Sequence, residues 1–485
     1  MLDKNYNFSY TISVDRLVNA ISGNEEEKPS LYQQAANYFK QEPVNKQKLQ
    51  LIKTEMQQVL SAKKEQSGKE ALKLEANVEQ LKRKYNHELR VQKESRITRL
   101  NDAVSMCLNL LSLSEGENFE DTQLKSAKFL TTLVLFSPGK GKKLAELHHK
   151  LKPAYKAVLS LRVLDKLVLD GVVKNAYMMK NYDPEKRFEP EGSDYICYTQ
   201  AVILPIMLAA VFQDVGLQHP DLVELLEGKK GEKDRFRLLE KDEREKMLRL
   251  NYEYTIDYLQ NGLGCQQASD KIIQEDVSAF DESEKQKLKF QLGLVLDANS
   301  SKLGTSEIIK IPQIYTSVVF STKRDYQRKS LTTASILIEQ LAIKKVISGP
   351  IAKVFVDIVG QFPLGYGFVY IPKDMRGEEL ELYEYAIVSG LNPKLVDEPI
   401  CRPVTKNLMF LTHGKTMVME KNINLHFPVA RKKLMKIDPK RLVEIMQKLS
   451  YDFKPSESAG SVPDYWEPHN YFFVEGNQNL WSRGG

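Results

Sequence analysis

This chain is poor in the residue types that announce a reactive site. Four cysteines occur among 485 residues, Cys107, Cys197, Cys265 and Cys401. No two are spaced as a C-x-x-C pair, which excludes the usual zinc and disulfide frameworks. They read as reduced thiols in a cytoplasmic protein. Only seven histidines are present, and none lies between His219 and His413. Charge of one sign is also lacking. The 70 basic and 64 acidic residues leave a net charge of +6, too diffuse for a dedicated nucleic-acid binder. The longest apolar run, "AVILPIMLAAVF" (201–212), is too short to span a bilayer and contains Pro205, so it reads as a buried core helix. The N-terminal "MLDKNYNFSYTISVDR" has no apolar core of the kind a secretory signal needs.

What the sequence does contain is helical periodicity. Residues 1–43 are mixed, with Pro29 and Pro43 as punctuation. From about Asn45 to Leu111 there is no proline. Leu74, Val78, Leu81 and Tyr85 are spaced 4, 3, 4, as are Leu100, Val104, Cys107 and Leu111. Such spacing draws an apolar stripe along one helix face, with Gly68 as an interruption. A coiled coil or partner-binding hairpin and a long helix packed on its own domain both fit. A further helix covers about 120–136, closed by "SPGKGKK" (137–143). Its glycines and lysines lack the G-x-x-x-x-G-K-[S/T] spacing of a phosphate loop, and a basic solvated turn is the expectation. A polar insertion, "YDPEKRFEPEGSD" (182–194), interrupts the helices that follow. "EKDEREKMLRLNYEYTIDYLQNGLG" (240–264) and "DESEKQKLKFQLGLVLDANSSKLG" (281–304) are amphipathic helices, and "IYTSVVFST" (314–322) is short and β-branched. After Gln361, β-branched and aromatic runs separated by glycine and proline predict a small β module. "DPKRLVEIMQKLSYDF" (438–453) returns to helix, and an aromatic-studded polar tail ends the chain.

The order of these pieces carries a resemblance. "LAAVFQDVG" resembles the "AALLHDIG" signature of the HD-GYP family, bacterial phosphodiesterases of cyclic di-GMP. "LLEKDEREKMLRLNYEYTIDYLQNGLG", "LVLDANSSKLG", "EIIKIPQIYTSVVFSTKRDYQRKS" and "VDIVGQFPLGYGFVYI" are similar to the family segments that follow it, in the same order, over about 195 to 372. The implied fold is mainly α: a long N-terminal helical region (1–118), an HD-type helical domain (119–360), a small β-rich extension (361–436), and a C-terminal helix with the aromatic tail (437–485).

The resemblance also implies a metal site, and the chain departs from it. Family members hold two or three iron or manganese ions on histidines and carboxylates, which generate hydroxide and clamp the phosphodiester. Here Gln213 stands where the first histidine of the His-Asp pair belongs, and Asp214 is kept. Asn251 stands at the histidine of the next helix. Leu294 and Val295 fall at the paired histidines, and no Asp or Glu occurs from Ile308 to Arg324. Leu303 and Gly304 fall near the Tyr-Pro of the family name. His148 or His149 would represent the early-helix histidine, although a partly exposed helix is the plainer reading. One carboxylate and one imidazole hold a transition metal poorly, since even a single lost supporting partner weakens affinity about 10- to 100-fold. Gln213, Asp214 and Asn251 are therefore expected to be the relic of a lost metal site, with Asp214 now more plainly a helix cap or hydrogen-bond partner, and with no cofactor and no catalysis.

Three functions follow as expectations. The first is a non-catalytic scaffold or regulatory subunit in a bacterial signalling or motility assembly, such as the flagellar motor. It would act through other proteins bound by the N-terminal helices and the tail, with self-association left open. The second is a receptor that binds cyclic di-GMP or another nucleotide without cutting it; Arg324 and Arg328 could hold its phosphate, although structural hydrogen bonding of their turn is the plainer reading. The third is a residual metal-dependent phosphodiesterase. Nucleic acid and a membrane span are not expected. A cytoplasmic place, peripheral to an inner-membrane assembly, accompanies the first reading. Tyr465, Trp466, Phe472, Phe473 and Trp481 in the tail are candidates for docking a partner, because Trp and Tyr favour interfaces. Folding back on their own chain is the alternative. His219, before Pro220 and Asp221, is expected to serve as a structural cap; His413, His426 and His469 match no ligand spacing.

Overall fold

The structure is a computed structural model, and it describes residues 9–23, 28–181, 187–188, 198–267, 274–300, 304–412, 414–449, 462–478 and 480–481. Most of the polar insertion, Cys197, Leu303, His413 and the end of the predicted 438–453 helix lie outside these residues. In chain order the helices are α1 (Ser9–Ser22), α2 (Leu31–Lys64), α3 (Lys69–Ser114), α4 (Phe119–Leu135), α5 (Gly141–Leu169), α6 (Ala176–Lys180), α7 (Leu204–Val211), α8 (Pro220–Glu227), α9 (Lys241–Asp257), α10 (Gln274–Ala298), α11 (Glu307–Val319), α12 (Thr333–Ile343) and α13 (Gly349–Val359). Strands β1 (Gly367–Tyr370), β2 (Glu384–Val388), β3 (Ile400–Pro403), β4 (Thr405–Lys406), β5 (Met409–Phe410) and β6 (Met417–Val418) follow, then α14 (Pro428–Leu434), α15 (Pro439–Leu449) and α16 (His469–Phe472). The fold is mainly α with a small strand-containing region near the C-terminus. No helix among the described residues is long and apolar enough to cross a membrane.

Contacts divide the chain into two compact units, each built from separate stretches: residues 1–19, 108–211 and 293–485 in one, 20–107 and 212–292 in the other.

In the first unit α5 is the central helix. It is buried over most of its length and packs on α7, α11 and α13. Its second half is mostly apolar, but Arg162 and Asp165, spaced i, i+3, are buried within it at 1 % exposed. Glu115 accepts from Arg162 at 2.6 Å and from Arg187 at 2.7 Å, while Asp165 lies 3.0 Å from Arg162 and 3.1 Å from Arg187. Two guanidinium groups thus balance two carboxylates in the interior, as buried charge requires. The four-stranded antiparallel sheet has the order β1-β2-β3-β6, with Gly367 opposite Ile387 and Cys401 opposite both Val388 and Met417. The aromatic runs give β1 and β2. The interior strand β3 comes from a proline-bounded stretch, "PICRP", with no strand-like alternation. The short β-branched run 314–322 is not a separate element: its first six residues close α11. Ile308, Ile311, Pro312, Tyr315 and Val319 are buried there at helical spacing.

In the second unit α2 and α3 form an antiparallel hairpin. The polar pairs Gln34–Asp102 (2.9 Å), Lys48–Glu88 (2.6 Å) and Lys63–Glu75 (3.2 Å) run in opposite sequence directions. Gly68, at φ +68°, makes the turn between the helices, a conformation that favours glycine. Val78 and Leu81 of the predicted stripe, and Ile52 of α2, are buried. Pro43 does not end a helix as expected; α2 runs through it. A mid-helix proline costs about 3 kcal/mol. The anchoring of Tyr32, Tyr38 and Phe39 offsets that cost, since all three rings are buried just upstream.

Candidate functional site

Gln213, Asp214 and Asn251 are held by two elements of the second unit. After α7 the chain makes a tight turn at Phe212–Asp214, in which Val215 N donates to Phe212 O at 2.9 Å. A single 3₁₀ turn, Val215–Gln218, leads to His219. His219 caps α8: its Nδ1 accepts from Asp221 N at 3.2 Å. The cap expected there is present. Its ring also stacks on Tyr254, with centroids 3.5 Å apart and planes 7° apart.

Helix α9 closes on this turn. Thr255 Oγ1 accepts from Gly216 N at 3.1 Å. The approach is between main chains: a Cβ placed on Gly216 would lie 2.2 Å from the Asn251 carbonyl oxygen. The fold therefore brings the Gln213–Gly216 turn against Asn251. Gln213 Oε1 and Asn251 Oδ1 are buried there, and neither meets a hydrogen-bond donor among the described residues. Asp214 lies beside the fully buried Tyr32, whose hydroxyl is pushed well up by burial and then by the Asp214 charge. Around this joint Tyr38, Phe39, Phe212, Tyr254 and Tyr258 pack ring against ring. The Tyr38 hydroxyl donates to Asp257 at 3.1 Å.

These residues do not fit the metal centre that the resemblance implies. Two neutral amide oxygens and one carboxylate supply a single negative charge and no imidazole, so they lack the histidine-rich set of that centre. Leu294 and Val295 are core residues of the other unit, 3 % and 4 % exposed. Among the described residues, no three His, Cys, Asp or Glu side chains come together as a group that could hold a metal ion.

The histidines differ from expectation in one respect. His148 is not on a partly exposed helix face; it is 1 % exposed. Its Nδ1 lies 2.7 Å from the Ser321 carbonyl and so carries the proton, and Phe320 and Tyr326 meet the ring edge-on. Burial lowers its pKa to about 3, so it is neutral across the physiological range. Arg328 is committed to structure. It donates to the carbonyls of Ser137 and Gly139, in the 137–143 turn, and pairs with Glu467 at 3.6 Å. Arg324 is exposed.

The tail folds back on its own unit. Trp466 stacks on Tyr385, with centroids 4.7 Å apart and planes 5° apart. Tyr465 packs on Tyr366, and Trp481 Nε1 donates to Ser389 O at 3.3 Å. Phe472 is fully buried. His469, also buried, bonds Glu467 and sits 3.2 Å from Val134 O. For Phe472 the docking role is corrected: its ring belongs to the core. Tyr465, Trp466, Phe473 and Trp481 are half-buried.

Some structural groups gave little sign of themselves in the sequence. Arg96 donates to the carbonyls of Leu263 (2.9 Å) and Cys265 (2.8 Å), and Arg99 to that of Gly262 (2.9 Å). Two arginines of α3 thereby cap the widened π turn, Tyr258–Leu263, that ends α9. Nothing local marks them within a run of alternating charge. Arg162 and Asp165 did leave a signal, as two charges at i, i+3 within the apolar stretch "AVLSLRVLDKLVL" (157–169).

Compared with described protein families, with characterised proteins and with solved structures, the chain matches none of them.

Proposed function

We propose that this protein is a non-catalytic relative of the HD-GYP phosphodiesterases that acts as a scaffold or regulatory subunit in a bacterial signalling or motility assembly. One observation carries the reading. Where the family's first metal ligands would project, this chain has a joint in which the Gly216 main chain closes on the Asn251 main chain. Gln213 and Asn251 put neutral amides into that joint. The neighbouring tyrosines and phenylalanines fill the surroundings with packed rings. An open cup that admits a phosphodiester and a pair of ions needs the opposite: space, imidazoles and converging carboxylates. The long α2–α3 hairpin favours interaction with other proteins, because much of its surface faces solvent, including Val44 (62 % exposed) and Leu51 (63 %).

Elemental analysis of the purified full chain, with turnover assays on cyclic di-GMP with added manganese, tests the reading. The expected result is iron and manganese far below one per chain and no hydrolysis. Stoichiometric metal together with turnover would overturn it. Calorimetric titration with cyclic di-GMP is expected to show no binding; saturable binding without hydrolysis would replace the scaffold by a nucleotide receptor. In native extract the protein should migrate in a complex of fixed stoichiometry, and a free monomer there would remove the scaffold role.

A further inference from the structure

Helix α14 and the turn after it carry a surface that the proposed function leaves unused. Between residues 428 and 441 the sequence has six basic residues, Arg431, Lys432, Lys433, Lys436, Lys440 and Arg441, against one acid, Asp438. The structure divides the bases into two groups. Arg431 is tied inward to Asp464 at 3.1 Å, and Lys433 to Glu379 at 2.5 Å and to the Asn422 carbonyl at 2.9 Å. Arg441 pairs with Glu444 at 2.8 Å. Lys432, Lys436 and Lys440 are exposed and make no ion pair among the described residues.

Helical geometry sets which residues accompany these lysines. At about 100° per residue, Ala430 and Leu434 share the inner face, and both are buried. The opposite face carries Lys432 at its centre, flanked by Val429, Met435 and Lys436. Val429 is 53 % exposed and Met435 73 % exposed. Two apolar side chains thus stand out into water between lysines that form no ion pair among the described residues.

We infer that this face docks on an anionic lipid bilayer, with Met435 and Val429 entering the headgroup boundary and Lys432 and Lys436 held by lipid charge. The mixture favours a bilayer over other acidic partners. Each lysine near an anionic membrane adds to attraction, and an apolar side chain adds insertion. A nucleic-acid groove gains little from an exposed Met and Val, and the two arginines that would grip phosphate are already paired within the chain. The inference does not rest on the non-catalytic reading.

Cosedimentation of the full chain with phosphatidylcholine vesicles, with and without phosphatidylglycerol, is the test. Binding is expected only with phosphatidylglycerol, weakening as salt screens the lysines. The double variant K432E/K436E should lower the partition coefficient about tenfold or more. M435D should also lower it and leave the residual binding more sensitive to salt. All three residues are exposed, so unfolding temperatures should stay at the wild-type value, which separates lost docking from lost folding. No binding to anionic vesicles, or binding that K432E/K436E leaves unchanged, would overturn the proposal. So would duplex DNA that binds without vesicles, competes fully with them and is indifferent to M435D, because the face would then read phosphate rather than a bilayer.

Discussion

Gly216→Ala is the sharpest perturbation that the joint between the Gln213–Gly216 turn and Asn251 allows. The added Cβ would sit 2.2 Å from the Asn251 carbonyl oxygen, and 2.9 Å from both its carbonyl carbon and its Oδ1. Carbon and oxygen tolerate about 3.3 Å, so turn and helix must separate by about 1 Å. The obstacle is main chain, which cannot swing aside as a flexible side chain would. Thr255 Oγ1, now 3.1 Å from Gly216 N, would be carried off its donor. Overpacking of this kind costs about 1–3 kcal/mol. For a unit of about 170 residues that lowers the melting temperature by about 2–12 °C. Gly293→Ala is the matched control: Gly293 lies inside α10 and nothing would approach its Cβ within 4 Å. There alanine should stabilise by about 0.5–1 kcal/mol, through helix propensity alone. Two units need not unfold together, so calorimetry should be read beside amide hydrogen exchange. G216A should raise exchange around residues 212–219 and 250–256. A G216A protein that melts at or above the wild-type temperature, with exchange unchanged, would refute the main-chain packing described above.

Glu115→Gln should cost about 3–5 kcal/mol by leaving two buried guanidinium groups underpaired. Burial alone would raise the Glu115 pKa, but Arg187 and Arg162 hold it below the usual value. Its contribution is therefore full above the unfolded carboxyl pKa of about 4.3 and fades as pH falls through the lower folded value. Acid titration of stability should lose that limb in the variant, and an unchanged limb would count against the buried pairing. Arg96→Ala removes two charge-assisted bonds to carbonyls at the end of α9 and should cost about 2–3 kcal/mol in denaturant melts. Phe472→Ala should destabilise by about 3–5 kcal/mol, since the ring is fully buried; unchanged stability would return this residue to the class of partner-docking aromatics. Gln213→His alone should yield no stoichiometric iron or manganese on elemental analysis, because Asn251 offers an amide at the neighbouring position and its main chain closes the joint.

Much of the helical layout was legible in local pattern. Gly68 broke the long helical run because its φ of +68° suits glycine. The stripe residues Val78, Leu81, Leu100 and Cys107 are buried as their spacing implied. Pro43 misled because a local helix penalty was outweighed by aromatic rings anchored elsewhere in the unit. The 314–322 run has β-branched composition, but its helix is fixed by the buried face of α11. Strand β3 lacked an alternating pattern, since a strand flanked on both sides is set by its neighbours' hydrogen bonds.

The sequence by itself determined which chemistry is scarce here: it has no histidine between His219 and His413, and it puts amides at Gln213 and Asn251. Residue identity is local, and no fold changes it. Tertiary structure alone decided that Gly216 meets the Asn251 main chain, that Arg96 and Arg99 cap a turn more than 160 residues away, and that Phe472 enters the core. It also decided that Lys433 is tied while Lys432 is left facing water. Those outcomes depend on contacts between residues far apart in the chain, and the cost of bringing such residues together is met only when the whole unit packs.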